Sequence, residues 1–69
     1  MEGYHVKFRE NRWWIVNGGN WFGPYRESAV AQSLAIAIAR RAVELGVPTS
    51  VYVHNREGSE ETIWDGSVQ

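Results

Sequence analysis

The sequence predicts an α+β fold of order ββ(β)αββ, an antiparallel sheet with one helix packed on one face. Two observations carry this. Segments of strand-type residues with alternating polarity stand at both ends of the chain. Between them lies a stretch of almost pure helix formers, bounded by Ser28 on one side and Gly46-Val47-Pro48 on the other.

At the first end, Tyr4, Val6 and Phe8 alternate with His5, Lys7 and Arg9, the period of a strand with one apolar and one polar face. Glu10-Asn11 supplies a turn, because Asn tolerates left-handed backbone. Trp13-Trp14-Ile15-Val16 is the second strand, and Asn17-Gly18 is a favoured pair for a two-residue hairpin loop. Residues 18–24 then form either a short irregular strand or a loop, with the strand preferred. Ser28 is the expected N-cap of a helix over Ala29 to Leu45, and Gly46 at C′ followed by Pro48 stops it. Thr49 to His54 is β-rich, Asn55-Arg56-Glu57-Gly58 reads as a type I turn closed by glycine, and Glu61 to Asp65 is the last strand.

The chain of 69 residues allows a single domain, with an ordered core expected over about residues 3–66. A hydrophobic share of 43% against 22% charged is a globular balance, not a disordered one. A domain this short buries little surface and tends to rely on disulfides, metal or oligomerisation. It has no cysteine, so disulfides and thiolate zinc sites are excluded and a partner subunit becomes attractive. No membrane span and no signal peptide are expected, and the location is read as cytoplasmic. The net charge is −1 but unevenly spread. All seven basic residues precede Glu57 with four acids among them, giving +3, while Glu57, Glu60, Glu61 and Asp65 give the remainder −4. The weak total charge argues against binding driven by bulk positive charge.

On a helical wheel Ala31, Leu34, Ala35, Ile38, Ala42 and Leu45 share one arc, expected to cover the sheet. Ile36, Ala39 and Val43, bordered by Arg40, point nearly the other way and form a candidate self-association stripe. The tryptophans are the other anomaly. Trp13 and Trp14 are adjacent, so one of them must face away from the helix. Trp13, Trp14, Trp21, Tyr52, His54 and Trp64, with Lys7, Arg9 and Arg12, are the candidate binding residues, because aromatics and arginine dominate contact surfaces. Against this stands the plain reading that large side chains merely shield an exposed strand face.

Catalytic chemistry is not expected. No His–acid spacing suggests a triad, Gly18-Gly19 and Gly23 form no phosphate loop, and no cofactor motif is present. His5 and His54 are able to meet across strands, but two histidines without a nearby carboxylate make a poor metal site, so none is assigned. Glu60-Glu61 reads as a charged edge that resists strand-to-strand aggregation.

Tyr4-His5-Val6, Trp14-x-Val16, the Ser28-Ala29…Ala35…Ala39-Arg40 helix and Val51-Tyr52-Val53-His54-Asn55-Arg56-Glu57-Gly58 together resemble a family of short bacterial and phage domains of unknown function. The resemblance runs from Tyr4 to about Gly66 and implies a ββαββ domain without enzyme activity. Trp21-Phe22-Gly23-Pro24-Tyr25 leading into an alanine-rich helix is similar to the three-strand-plus-helix domains of plant transcription factors and phage integrase arms. Those bind DNA through the sheet, and the acidic tail and the missing basic sheet signature count against that use here. The expectation is a non-enzymatic, homodimeric binding module that contacts a protein through its open sheet face or outer helix stripe. A phage or mobile-element accessory or inhibitor protein is a special case of it. The alternative is a nucleic-acid binder using Lys7, Arg9 and Arg12 for phosphates and Trp13 or Trp14 with Tyr52 for stacking.

Overall fold

A computed structural model describes residues 3–66 of the chain. Alternating polarity builds β1 (Tyr4–Arg9) and β2 (Arg12–Asn17), joined by a tight turn in which Glu10 and Asn11 both take positive φ, 55° and 66°. β3 (Asn20–Tyr25) follows, so residues 18–24 hold a strand and not only a loop. The β2–β3 turn sits one residue later than the sequence suggested. Gly18 and Gly19 occupy its two left-handed positions, and Asn17 pairs with Asn20 inside the sheet. Two glycines adopt this turn without a Cβ penalty. Asn17 is thereby free to donate from Nδ2 to the Gly3 carbonyl at 2.8 Å, pinning the start of β1.

The helix α1 (Ser28–Glu44) begins one residue earlier than expected. Glu27 is the extended N-cap residue, and the Ser28 hydroxyl accepts from Gln32 Nε2 at 2.7 Å instead of capping the helix. The end is as expected. Gly46 has φ 91°, and the amides of Gly46 and Val47 bond back to the carbonyls of Val43 and Ala42, both at 2.9 Å, a Schellman arrangement. β4 (Ser50–His54) and β5 (Glu60–Asp65) complete the chain. Between them the Asn55 side chain accepts the amides of Glu57 and Ser59 at 3.0 and 2.9 Å, and Gly58 at φ 95° closes the turn.

The sheet order is β3-β2-β1-β4-β5. The expected antiparallel pairing holds everywhere except at the centre, where β1 and β4 run parallel. Topology forces this. β3 runs parallel to β1, and a helical crossover returns the chain in the direction of the strand it left. The helix therefore delivers β4 alongside β1 in the same sense, with Tyr4 opposite Val51 and Val6 opposite Val53.

Val6, Ile15 and Val51 are completely buried under α1, and the helix residues that meet them are Ala31, Ala35 and Ala39. The expected leucine-bearing arc is thus corrected. The helix is turned so that Leu34 and Leu45 are exposed (39% and 66%), while Ala39 is fully buried and Ile36 packs against the core. The reason is steric. A methyl side chain lets the helix approach the branched residues of the sheet, whereas leucine in that line would hold it off. The stripe of Ile36, Ala39 and Val43 is therefore not an outer surface: Val43 is half-buried beside Gly66, and only Arg40 of that group is exposed.

Two register shifts shape the ends of the sheet. One lies between Val51 and Tyr52 on β4, where β5 accommodates the extra residue Ile63. Ile63 and Trp64 consequently both pack on the core. The other falls where Trp13 and Ile15 pair with Tyr25 and Phe22, so that Gly23 and Pro24 are taken up on β3. Gly23 has φ 130°, and a Cβ there would press on the Tyr25 ring and the Trp13 carbonyl at 3.1–3.2 Å. Both edges of the sheet are thereby blunted: β3 by this bulge with its proline, β5 by Glu60, Glu61 and Asp65.

Candidate functional site

One helix covers one side of the sheet, so the other side is the surface available for binding. Strand alternation decides what stands there. β1 contributes His5, Lys7 and Arg9, and β2 contributes Arg12, Trp14 and Val16, since Lys7 pairs with Trp14 and Arg9 with Arg12. Trp21 joins from β3 opposite Val16, Tyr52 and His54 come from β4, and Glu60 and Thr62 from β5. Of the expected binding residues, the open face therefore gathers Lys7, Arg9, Arg12, Trp14, Trp21, Tyr52 and His54. Trp13 and Trp64 are corrected to the helix side, where both pack on the core. Trp13 stands against Phe8 at 5.1 Å between ring centres, and the Arg56 guanidinium lies 4.3 Å over the Phe8 ring.

The open face has two centres. At the first, Trp14 and Trp21 meet edge to face at 6.0 Å, and the Arg9 guanidinium lies 5.0 Å from the centre of the Trp21 ring. The Trp14 indole Nε1 donates to the Arg9 carbonyl at 3.0 Å, which fixes its ring across the β1–β2 hairpin. Arg9, Glu10, Trp14 and Trp21 line a shallow recess of about 160 Å³. Val16, on this same side, is only 9% exposed beneath its neighbours, so the aromatics shield the sheet as well as presenting a surface. Trp21 itself stays 39% exposed, whereas Phe22, which pairs with Ile15, stands on the helix side.

The second centre joins β1, β4 and β5. The parallel pairing sets His5 beside Tyr52, whose ring stacks on the imidazole at 4.9 Å and 22°. His5 Nδ1 and His54 Nε2 are 2.9 Å apart. One of those nitrogens must donate and the other accept, so the two facing positions share a single proton. Glu60 pairs with His54 across β4–β5, and one ligand atom from each of His5, His54 and Glu60 lies within 4.8 Å of the others. The His5 pKa is held below its ordinary value, first by partial burial and then by His54, with Lys7 acting the same way and Glu60 opposing. Glu60 is the residue missed by the sequence reading, which found no carboxylate near the two histidines. Its place follows from two strand registers spanning 49 residues between His5 and His54.

Comparison with protein-family models, with curated proteins and with solved structures finds no match. The surface must be interpreted from its own chemistry. Among the described residues no helix is long and apolar enough to cross a membrane.

Proposed function

We propose that the protein is a non-enzymatic binding module that works through the open face of its sheet, and that the partner best matched to this face is a second copy of the chain. The observation that carries this is the division of charge across the face. Lys7, Arg9 and Arg12 stand on the β1–β2 side with Trp14 and Trp21, whereas Glu60 and Asp65 stand on β5. A two-fold axis lying between two stacked faces and running along the strands lays the basic aromatic half of one copy on the acidic half of the other. This is the self-complementarity that an isologous contact requires. The size of the face sets the strength. Five strands at about 4.8 Å spacing and about 18 Å long give each copy roughly 400 Å² in projection, about half of what a stable specific interface buries per partner and in the range of weak, transient contacts. A weak, reversible dimer is the outcome. Sedimentation velocity across a concentration series tests it: the wild type should pass from monomer to dimer, and Trp21→Glu should stay monomeric. A wild type still monomeric at millimolar concentration overturns the reading.

One observation favours a second reading, a nucleic-acid-binding surface: the Arg9 guanidinium over the Trp21 ring, with Lys7 and Arg12 on the same side. Stacking rings flanked by phosphate-binding cations are how single strands are held. Titrating DNA and RNA oligonucleotides while following tryptophan fluorescence separates the two. Quenching abolished by salt supports nucleic acid, and no response at low salt removes it.

A further inference from the structure

We propose that His5, His54 and Glu60 form a binding site for a divalent transition-metal ion of the zinc class on the open face of the sheet. The argument starts from the donor set. Two imidazoles and a carboxylate are a ligand combination that zinc accepts with water completing the coordination. The three side chains come from three adjacent strands and project to the same side, so the backbone hydrogen bonds of the sheet hold them together before any ion arrives. Their ligand atoms lie within 4.8 Å of one another, with His5 Nδ1 and His54 Nε2 at 2.9 Å.

A tetrahedral ion with bonds of about 2.1 Å sets its ligands about 3.4 Å apart. The ion therefore requires the two imidazoles to part by about half an ångström and the carboxylate to swing inward. Glu60 is exposed and is the first residue of β5, so that adjustment is small. The proton now shared between the two rings leaves their facing nitrogens. His5 then ligates through Nδ1 with its proton on Nε2, and His54 ligates through Nε2 with its proton on Nδ1; whichever ring carried the shared proton moves it to its own far nitrogen, so two neutral imidazoles bind with no net proton change. Partial burial, which holds His5 in its neutral form, favours the same state. Tyr52, stacked on His5, fixes the ring plane from the side. The Glu60 carboxylate brings a negative charge to the ion and offsets the positive charge of nearby Lys7.

The test is calorimetric titration of the chelator-treated protein with zinc chloride alone, with its thermal unfolding followed in parallel. The wild type should take up one ion per chain with roughly micromolar affinity and unfold at a higher temperature when zinc is present. Loss of an outer-shell partner of a metal site costs about tenfold or more in affinity, so loss of a direct ligand should cost at least that. Glu60→Gln and His54→Gln should each show such a loss while unfolding normally without zinc. Glu61→Gln is the control: it pairs with Val53, on the opposite side of the sheet, and should bind as the wild type does. No uptake by the wild type at millimolar zinc overturns the site. Uptake that Glu60→Gln leaves unchanged, or that Glu61→Gln weakens as much, overturns it equally.

Discussion

On the inner side of the sheet Val6, Ile15 and Val51 meet a line of alanines and are wholly dry, whereas on the outer side Trp14, Tyr52, His5 and His54 are half-buried by one another. The two sides share the same strands and hydrogen bonds, so the difference lies in what covers them. Inside, small helix residues let branched strand residues close-pack. Outside, no second layer covers the sheet among the described residues, and large rings packed against one another take its place. Stability should therefore concentrate on one side and recognition on the other.

The sharpest way to break this contrast is Ile15→Ala, which removes a fully buried branched side chain. It should cost about 2–5 kcal/mol by urea unfolding. In a domain of this size that is a large part of the total. A cost under about 1 kcal/mol would show that the inner side does not carry the fold. Next in size is a pair that tests the helix orientation. Ala35→Leu should destabilise by about 1–3 kcal/mol through overpacking, whereas Leu34→Ala on the exposed side should stay within about 0.5 kcal/mol. The reverse ranking would place the leucine, not the alanine, against the sheet.

The smallest expected effect belongs to the outer side and sharpens the comparison there. His5 binds its proton less readily folded than unfolded, because its folded pKa lies below the ordinary 6.5. As pH falls through that ordinary value, the unfolded chain gains the proton first, so stability drops. The loss levels off below the depressed folded value, and the contribution is complete above about pH 6.5. Urea midpoints measured against pH in chelator-treated protein should show this slope, and His5→Gln should flatten it. An unchanged slope in His5→Gln would mean that another group is responsible.

Much of the architecture was legible in short-range chemistry. Alternation at Tyr4 to Arg9, the glycine-closed turn after Asn55 and the Gly46-Val47-Pro48 stop each depend on a few neighbouring residues, and each stands where expected. The helix orientation was not legible, because a wheel weights Leu34 and Leu45 by hydrophobicity while close packing against a branched sheet selects Ala31, Ala35 and Ala39 by size. The parallel centre was hidden for a different reason: it depends on where the crossover lands, not on any local signal. The His5–His54–Glu60 group inherits that difficulty, since the distant register of β1 with β4 sets one contact and the following hairpin sets the other. Trp64, expected among the binding residues, was misplaced for want of one residue. The bulge at Ile63 turns both side chains inward, where strict alternation permits only one.

The blunted rims of the sheet limit how the molecule can multiply. A third copy seeking to extend the layer sideways meets a kinked, proline-bearing strand at one border and a row of carboxylates at the other. Ribbon growth, the usual hazard of a small open sheet, has no template on either side. Assembly by stacking is left, and two molecules stacked bare side to bare side leave a third no open sheet face to meet.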